Sequence, residues 1–175
     1  TFATRKIKDQ AMFEKRFFDQ RQGLYRDGVS TAHISAQANL FPLAFGLVPK
    51  TNRAHVAAWL AQRGMRCSVY GAQYLLEALF ENGQSEAAID LMIAPGDRSW
   101  RNMVESGTTI TWEAWDEKYK PDQDWTHAWG AAPANLLLRF VIGVQPLRPG
   151  WGRAVSRPHP GRLAFARGKM PNPRG

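Results

Sequence analysis

The sequence predicts an all-α fold of stacked helical hairpins, a bundle or helical barrel, followed by a few short strands. Three observations carry this. Up to about residue 143, apolar residues recur at three- and four-residue steps in runs of ~10–15 residues. Short Gly/Pro/Asn joints separate the runs, and short joints make antiparallel neighbours of consecutive helices. Strand signals are nearly absent until the chain turns rich in proline and glycine beyond Gly143. No strict sequence repeat accompanies the spacing.

Each element follows from local chemistry. Phe13, Phe17 and Leu24 lie at roughly helical spacing, so residues ~9–25 read as a helix that Gly28 ends. Ser35 to Phe45 carries Ala36, Leu40 and Ala44 at four-residue steps and stops at Gly46-Leu47-Val48-Pro49. Thr51 or Asn52 can cap the next helix, which turns Val56, Trp59 and Leu60 inward and ends at Gly64. Ser68 can cap a helix whose stripe is Tyr74, Leu75, Ala78 and Leu79, ending near Gly83. A short helix runs from Ser85 to Ala94 and meets the stop Pro95-Gly96. Asp97 can cap the next, which Gly107 ends. Thr108–Trp112 is β-branched and aromatic and reads as extended. Helix resumes after Asp124, an N-cap residue, and runs to about Ile142, with Pro133 tolerable near the first turns. Short strands are expected at Arg153–Val155 and Leu163–Ala166. Two or three short strands do not close a sandwich, so this end reads as the start of a larger β-unit.

Composition excludes several classes. A chain of 175 residues can bury a real core. No apolar run reaches the ~18 residues of a membrane span, so no membrane partner is expected. No basic-then-apolar leader opens the chain, and it starts at Thr1 in mid-pattern, so a truncated or processed N-terminus is expected. Compartment stays open: a cytoplasmic and a periplasmic or secreted parent both fit. The single Cys67 rules out an internal disulfide framework and reads as a small buried residue. The net charge of +8 is confined to the C-terminus, where Arg139–Gly175 holds eight basic residues and no acid. That tail has only Trp151 and Phe165 as stacking rings and no basic helix face, so nucleic acid is not the expected partner. His33, His55 and His159 are isolated, and no paired-cysteine, H-E-x-x-H or EF-hand pattern is present. No metal and no cofactor are expected. Gly46–Thr51 echoes a phosphate loop but lacks the glycine before its lysine.

The chemistry concentrates in Thr108–Asn135, TTITWEAWDEKYKPDQDWTHAWGAAPAN. This segment holds four of the seven tryptophans (Trp112, Trp115, Trp125, Trp129), five carboxylates (Glu113, Asp116, Glu117, Asp122, Asp124) and His127. Carboxylates are costly beside apolar surface, whereas aromatic walls with a few inward polar groups are the composition of a small-molecule site. Rings that stack on sugar C–H faces beside proton-moving carboxylates suit glycoside cleavage. In an extended segment, Thr111, Glu113 and Trp115 share one face and Trp112 takes the other. In a helical one, Glu113 neighbours Asp116 and Glu117. Either arrangement is expected to raise the pKa of Glu113; the alternative is a plain ion pair with Arg101 or Lys118. His127, three residues after Asp124, is either held by that cap residue or free to bond a ligand hydroxyl. A Ser106/His127/Asp124 nucleophile system lacks any nucleophile elbow.

These residues resemble a known family. The Thr108–Asn135 block closely resembles the end of the catalytic domain of microbial α-L-rhamnosidases, of the six-hairpin glycosidase class. AHISAQANLFPLAFGLVP at 32–49, GMRCSVYGAQYLLEALFENG at 64–83 and the tail from Gly143 support it. The resemblance implies that residues 1–143 are the C-terminal portion of an (α/α)6 catalytic barrel, roughly its last half. Residues 144–175 would then start a C-terminal β-sandwich domain, incomplete here. It implies inverting hydrolysis of terminal non-reducing α-L-rhamnose, with Glu113 as general base and His127 bonding sugar hydroxyls. Trp112 and Trp115 become pocket walls. Rhamnose-containing glycosides or polysaccharides become the partners, and oligomeric state is left open. The family's general acid lies in the earlier barrel half, so little or no activity is expected of this chain alone. A non-catalytic carbohydrate-binding remnant without the acid is the alternative.

Overall fold

A computed structural model describes residues 2–173. Helix α1 (Phe2–Phe17) begins earlier than expected and ends earlier too. The chain then turns in a short hairpin, β1 (Phe18–Asp19) against β2 (Leu24–Tyr25), with Phe18 opposite Tyr25. Asp19 is the cause: its Oδ1 accepts from the Arg21 N–H at 3.0 Å and the Gln22 N–H at 3.1 Å, and the Gly23 N–H closes on its carbonyl at 2.8 Å. An aspartate bonding its own downstream backbone offers the chain an alternative to helix. Leu24 reaches the core as a strand residue.

The hairpin is locked by buried Asn39. Its Oδ1 accepts from the Tyr25 N–H at 2.8 Å, and its Nδ2 donates to the carbonyls of Tyr25 at 2.9 Å and Ser35 at 3.0 Å. Asn39 belongs to α2 (Ala36–Ala44), capped by Ser35: Oγ accepts from the Ala38 N–H at 3.1 Å. Helix α3 (Lys50–Arg63) opens at Pro49 without a side-chain cap, so neither Thr51 nor Asn52 plays that role. Proline supplies the entry angle and has no N–H to satisfy. Helix α4 (Val69–Glu81) is capped by Ser68, whose Oγ accepts from the Gly71 N–H at 3.0 Å. Helix α5 (Ser85–Met92) follows. Helix α6 (Trp100–Glu105) is capped by Ser99, not Asp97. Asp97 is engaged instead by Lys118 and by the Tyr119 hydroxyl at 3.0 Å.

No helix starts at Asp124. Its carboxylate bonds the Thr126 N–H at 3.0 Å, two residues on, within a bend. Regular structure returns as a 3₁₀ turn (Ala128–Gly130), then α7 (Ala132–Leu136), which widens into a π turn (Leu137–Val141). Pro133 sits in the first turn of α7, where its missing N–H does no harm.

Packing centres on α4, which contacts α2, α3, α5 and α7. Helices α2, α4 and α7 form an inner row, and α3 and α5 back it. The core is aliphatic between these layers, with Leu40, Leu60, Leu76, Leu79 and Leu136 wholly buried. Phe80 stacks on Phe140 at 5.0 Å, and Glu77 pairs with Arg139 at 2.5 Å, joining α4 to the π turn. On the uncovered side of the row, Phe41, Phe45, Tyr74, Tyr70 and Trp129 touch ring to ring. Among the described residues no helix is long and apolar enough to cross a membrane.

The inner helices start at one end of the molecule. The Gln37 amide donates to the Arg66 carbonyl ahead of α4, and Gly130 ahead of α7 lies against Val69. Their other ends gather around a cavity of about 530 Å³ that Gly46, Asn82 and Gln145 help line. There the chain enters β3 (Val144–Pro146), antiparallel to β4 (Ala154–Ser156). Gly143 has φ +78° and packs so closely on Arg157 that no Cβ fits. One expected strand is therefore present, one residue downstream of the Arg153–Val155 estimate. Leu163–Ala166 forms no ladder, being hemmed by Pro160, Gly161 and Gly168.

Candidate active site

The loop from Ser106 to Ala131 lies at the end where the inner helices begin. Its two limbs pair through the main chain. The Glu113 N–H donates to the Asp124 carbonyl at 3.0 Å, and the His127 N–H to the Thr111 carbonyl at 2.7 Å. Thr111 Oγ1 returns a bond to the His127 carbonyl at 2.8 Å, and the Ala114 N–H meets Gln123 Oε1 at 3.1 Å. This pairing puts Glu113 and His127 on a shared frame.

The tryptophans divide into two sets. Trp112 and Trp115 are each only 3% exposed and lie beneath the loop. Trp115 Nε1 donates to the Cys67 carbonyl at 2.7 Å, and its ring meets Trp100 edge-on at 4.9 Å. Trp112 meets Trp125 at 4.8 Å. Trp125 and Trp129 stand 46% and 49% exposed. The His127 ring lies 4.3 Å from that of Trp129, and Tyr70 continues the surface at 5.3 Å. The alternation Trp125–His127–Trp129 is the signal that marks these outer rings; composition alone gives no preference among four tryptophans.

Glu113 is not next to the like charges considered from sequence. Its Oε2 accepts from Lys120 Nζ at 2.5 Å and from the Asp124 N–H at 3.1 Å. The Lys120 hydrogen bond, then that of the Asp124 backbone, hold its carboxyl below the ordinary 4.5, opposite to the rise expected. Arg101 and Lys118 are not its partners: Arg101 pairs with Glu105 at 2.6 Å and Lys118 with Asp97. Asp116 turns away to the Asn102 amide at 3.2 Å. Among the described residues none donates to Glu113 Oε1.

His127 Nδ1 lies 3.1 Å from Asp124 Oδ2. Asp124 is itself held below its ordinary value, first by the Thr126 backbone and then by the Thr126 hydroxyl and His127. Ser106 Oγ donates to the Asn102 carbonyl at 2.7 Å and joins no nucleophile system. Among the described residues no three metal-ligating side chains gather.

Helical hairpins in an inner and an outer row, with a tryptophan- and carboxylate-rich loop where the inner helices begin, define a partial six-hairpin glycosidase barrel. Solved structures share this fold. The α-L-rhamnosidase from Dictyoglumus thermophilum superposes with a TM-score of 0.77 at 22% identity, over 91% of this chain and 18% of that one. The Streptomyces avermitilis α-L-rhamnosidase complexed with L-rhamnose gives 0.68 at 24% identity, over 87% and 15%. In sequence, an α-L-rhamnosidase of Alteromonas sp. (strain LOR) is 27% identical over 177 residues, covering 93% of this chain. The chain belongs to the bacterial α-L-rhamnosidase six-hairpin glycosidase domain family, whose model matches residues 1–141. It spans 19% of the length of the Alteromonas relative.

Proposed function

We propose that this segment supplies the general-base side of an inverting α-L-rhamnosidase site. The observation that carries the reading is the paired loop, which holds Glu113 with one carboxylate oxygen open, beside His127 and the exposed rings of Trp125 and Trp129. Glu113 takes a proton from water as the water oxygen bonds to the anomeric carbon of a terminal α-L-rhamnose. The glycosidic C–O bond breaks, and its electrons pass to the leaving oxygen. That oxygen is protonated by an acid which the family resemblance puts on the preceding part of the barrel. Inversion requires room for water, with the two carboxyl groups ~6.5–9.5 Å apart. His127, oriented by Asp124, bonds sugar hydroxyls. Trp112 and Trp115 back the pocket from below. Residues 144–175 open a separate β-unit on the same reading.

The test is Glu113→Gln in the full-length protein that carries this sequence, assayed with p-nitrophenyl α-L-rhamnoside. Turnover is expected to fall by about 10²–10⁴-fold, with the melting temperature retained. Proton NMR of the first-formed sugar should show the inverted anomer. Undiminished turnover in the variant reassigns the base. Rhamnose binding without any turnover by the unsubstituted protein replaces the enzyme with a non-catalytic carbohydrate-binding role.

A further inference from the structure

We propose that Lys120 is a positioning residue for the Glu113 carboxylate, pinning Oε2 so that Oε1 alone is left to take the proton from water. The inference rests on the reading of Glu113 as general base. Two donors converge on Oε2: Lys120 Nζ at 2.5 Å and the Asp124 N–H at 3.1 Å. Two bonds to one oxygen fix the carboxylate plane, and the unbonded oxygen becomes the acceptor. A base free to rotate would present either oxygen and spend part of its time misaligned.

Lys120 is not a wandering surface lysine. Its N–H donates to the Glu117 carbonyl at 3.2 Å, and its own carbonyl accepts from the Gln123 N–H at 3.1 Å. Pro121 stiffens the next step. Its side chain is 41% exposed and that of Glu113 21%, so the pair sits at the mouth of the site. Asp122 and Asp124 also act on the Lys120 charge, yet its ammonium is bonded to Glu113. The two other cations considered for Glu113, Arg101 and Lys118, are committed to Glu105 and Asp97. An exposed ion pair of this kind contributes little to stability. Its consequence lies in orientation and in keeping the base ionised in mild acid, a preorganised electrostatic effect.

The experiment compares Lys120→Met, Lys120→Gln and Lys120→Arg with Glu113→Gln in the full-length protein, measuring kcat and KM against pH on p-nitrophenyl α-L-rhamnoside. Lys120→Met should lower kcat ~10–100-fold with KM within about twofold. The acid limb of its pH profile should move to higher pH, because Glu113 then protonates more readily. Lys120→Arg should restore most of kcat and return the limb. Should Lys120→Met lose its thermal transition, Lys120→Gln carries the acid-limb half of the test, since it removes the charge while keeping a donor, and its limb should still move to higher pH. If Glu113→Gln is inactive while kcat and the acid limb stay put in Lys120→Met and Lys120→Gln, the positioning role is overturned and the base stands. A fully active Glu113→Gln overturns both.

Discussion

Trp115 donates its indole N–H to the main-chain carbonyl of Cys67 at 2.7 Å, and this bond fastens the candidate active-site loop to the entrance of α4. Both residues are buried, so water is not available to replace the bond. Trp115→Phe removes the donor and leaves the Cys67 carbonyl unpaired. The expected loss is about 1–3 kcal/mol of stability, read as a lower urea midpoint at unchanged m. A midpoint equal to that of the parent shows that the bond holds nothing.

Gly130 tests how closely the loop is seated. A Cβ there would lie 2.8 Å from Val69 Cγ1, 2.9 Å from the Trp112 carbonyl and 3.0 Å from Thr111 Cβ. The carbonyl is backbone and cannot swing aside. Gly130→Ala is expected to cost about 1–3 kcal/mol by overpacking and, on the proposed function, to weaken rhamnose binding by the full-length protein through displacement of Thr111 and His127. Calorimetric titration with L-rhamnose, alongside thermal melting, checks both effects; a variant with parental melting and affinity contradicts the packing.

Cys67 should be chemically silent. Burial pushes its thiol up to about 12, only partly opposed by Arg98. Since the thiolate is the reactive form, Ellman's reagent at pH 8 should label the native chain no faster than it opens, and label it at once in urea. Rapid stoichiometric labelling of the folded chain would mean that the entrance of α4 is open.

The Glu113–Lys120 pair has a defined pH window. The folded carboxyl lies below its ordinary 4.5, so its contribution is complete above that value and is lost as pH falls through the lower folded one. The folded ammonium lies above its ordinary 10.5, so its contribution is complete below that value and is lost as pH rises through the higher one. Between 4.5 and 10.5 the pair is intact. The Asp124 amide proton, which donates to Glu113 Oε2, reports it: its NMR shift should stay level down to the ordinary carboxylate range and change only below. A titration centred above 4.5 contradicts the geometry.

The layered helical architecture was legible because its signals are local. Ser35 and Ser68 cap where they stand, since a hydroxyl needs only an N–H three residues on. Leu24 misled, because helical spacing continued while Asp19 had already turned the chain. Asp97 and Ser99 are both good caps; the choice between them was made by Lys118 and Tyr119, which arrive from the loop. The site followed the same rule. Thr108–Asn135 stood out by composition, but the direction of the Glu113 shift depends on Lys120, brought across an irregular turn that no face-counting describes. Likewise, which tryptophans lie under the loop depends on partners far away in sequence: Trp115 meets the Cys67 carbonyl and Trp100 from α6 that of Gly130 at 2.7 Å, whereas the buried Trp112 N–H has no acceptor among the described residues and its ring packs on Trp125.

The main-chain rungs joining Thr111 to His127 and Glu113 to Asp124 uncouple spatial from sequential distance. Residues 116–122 hang from them like a bight of rope. Lengthening that bight leaves the knots where they are, and loop closure grows costlier by only about 0.6 kcal/mol for each doubling of length. Insertions and deletions across evolutionary time should therefore accumulate there, while the glutamate and the histidine superpose. Of the residues proposed for the site, Lys120 alone rides on the bight, so a change of length would first be felt in the acidity at which Glu113 protonates.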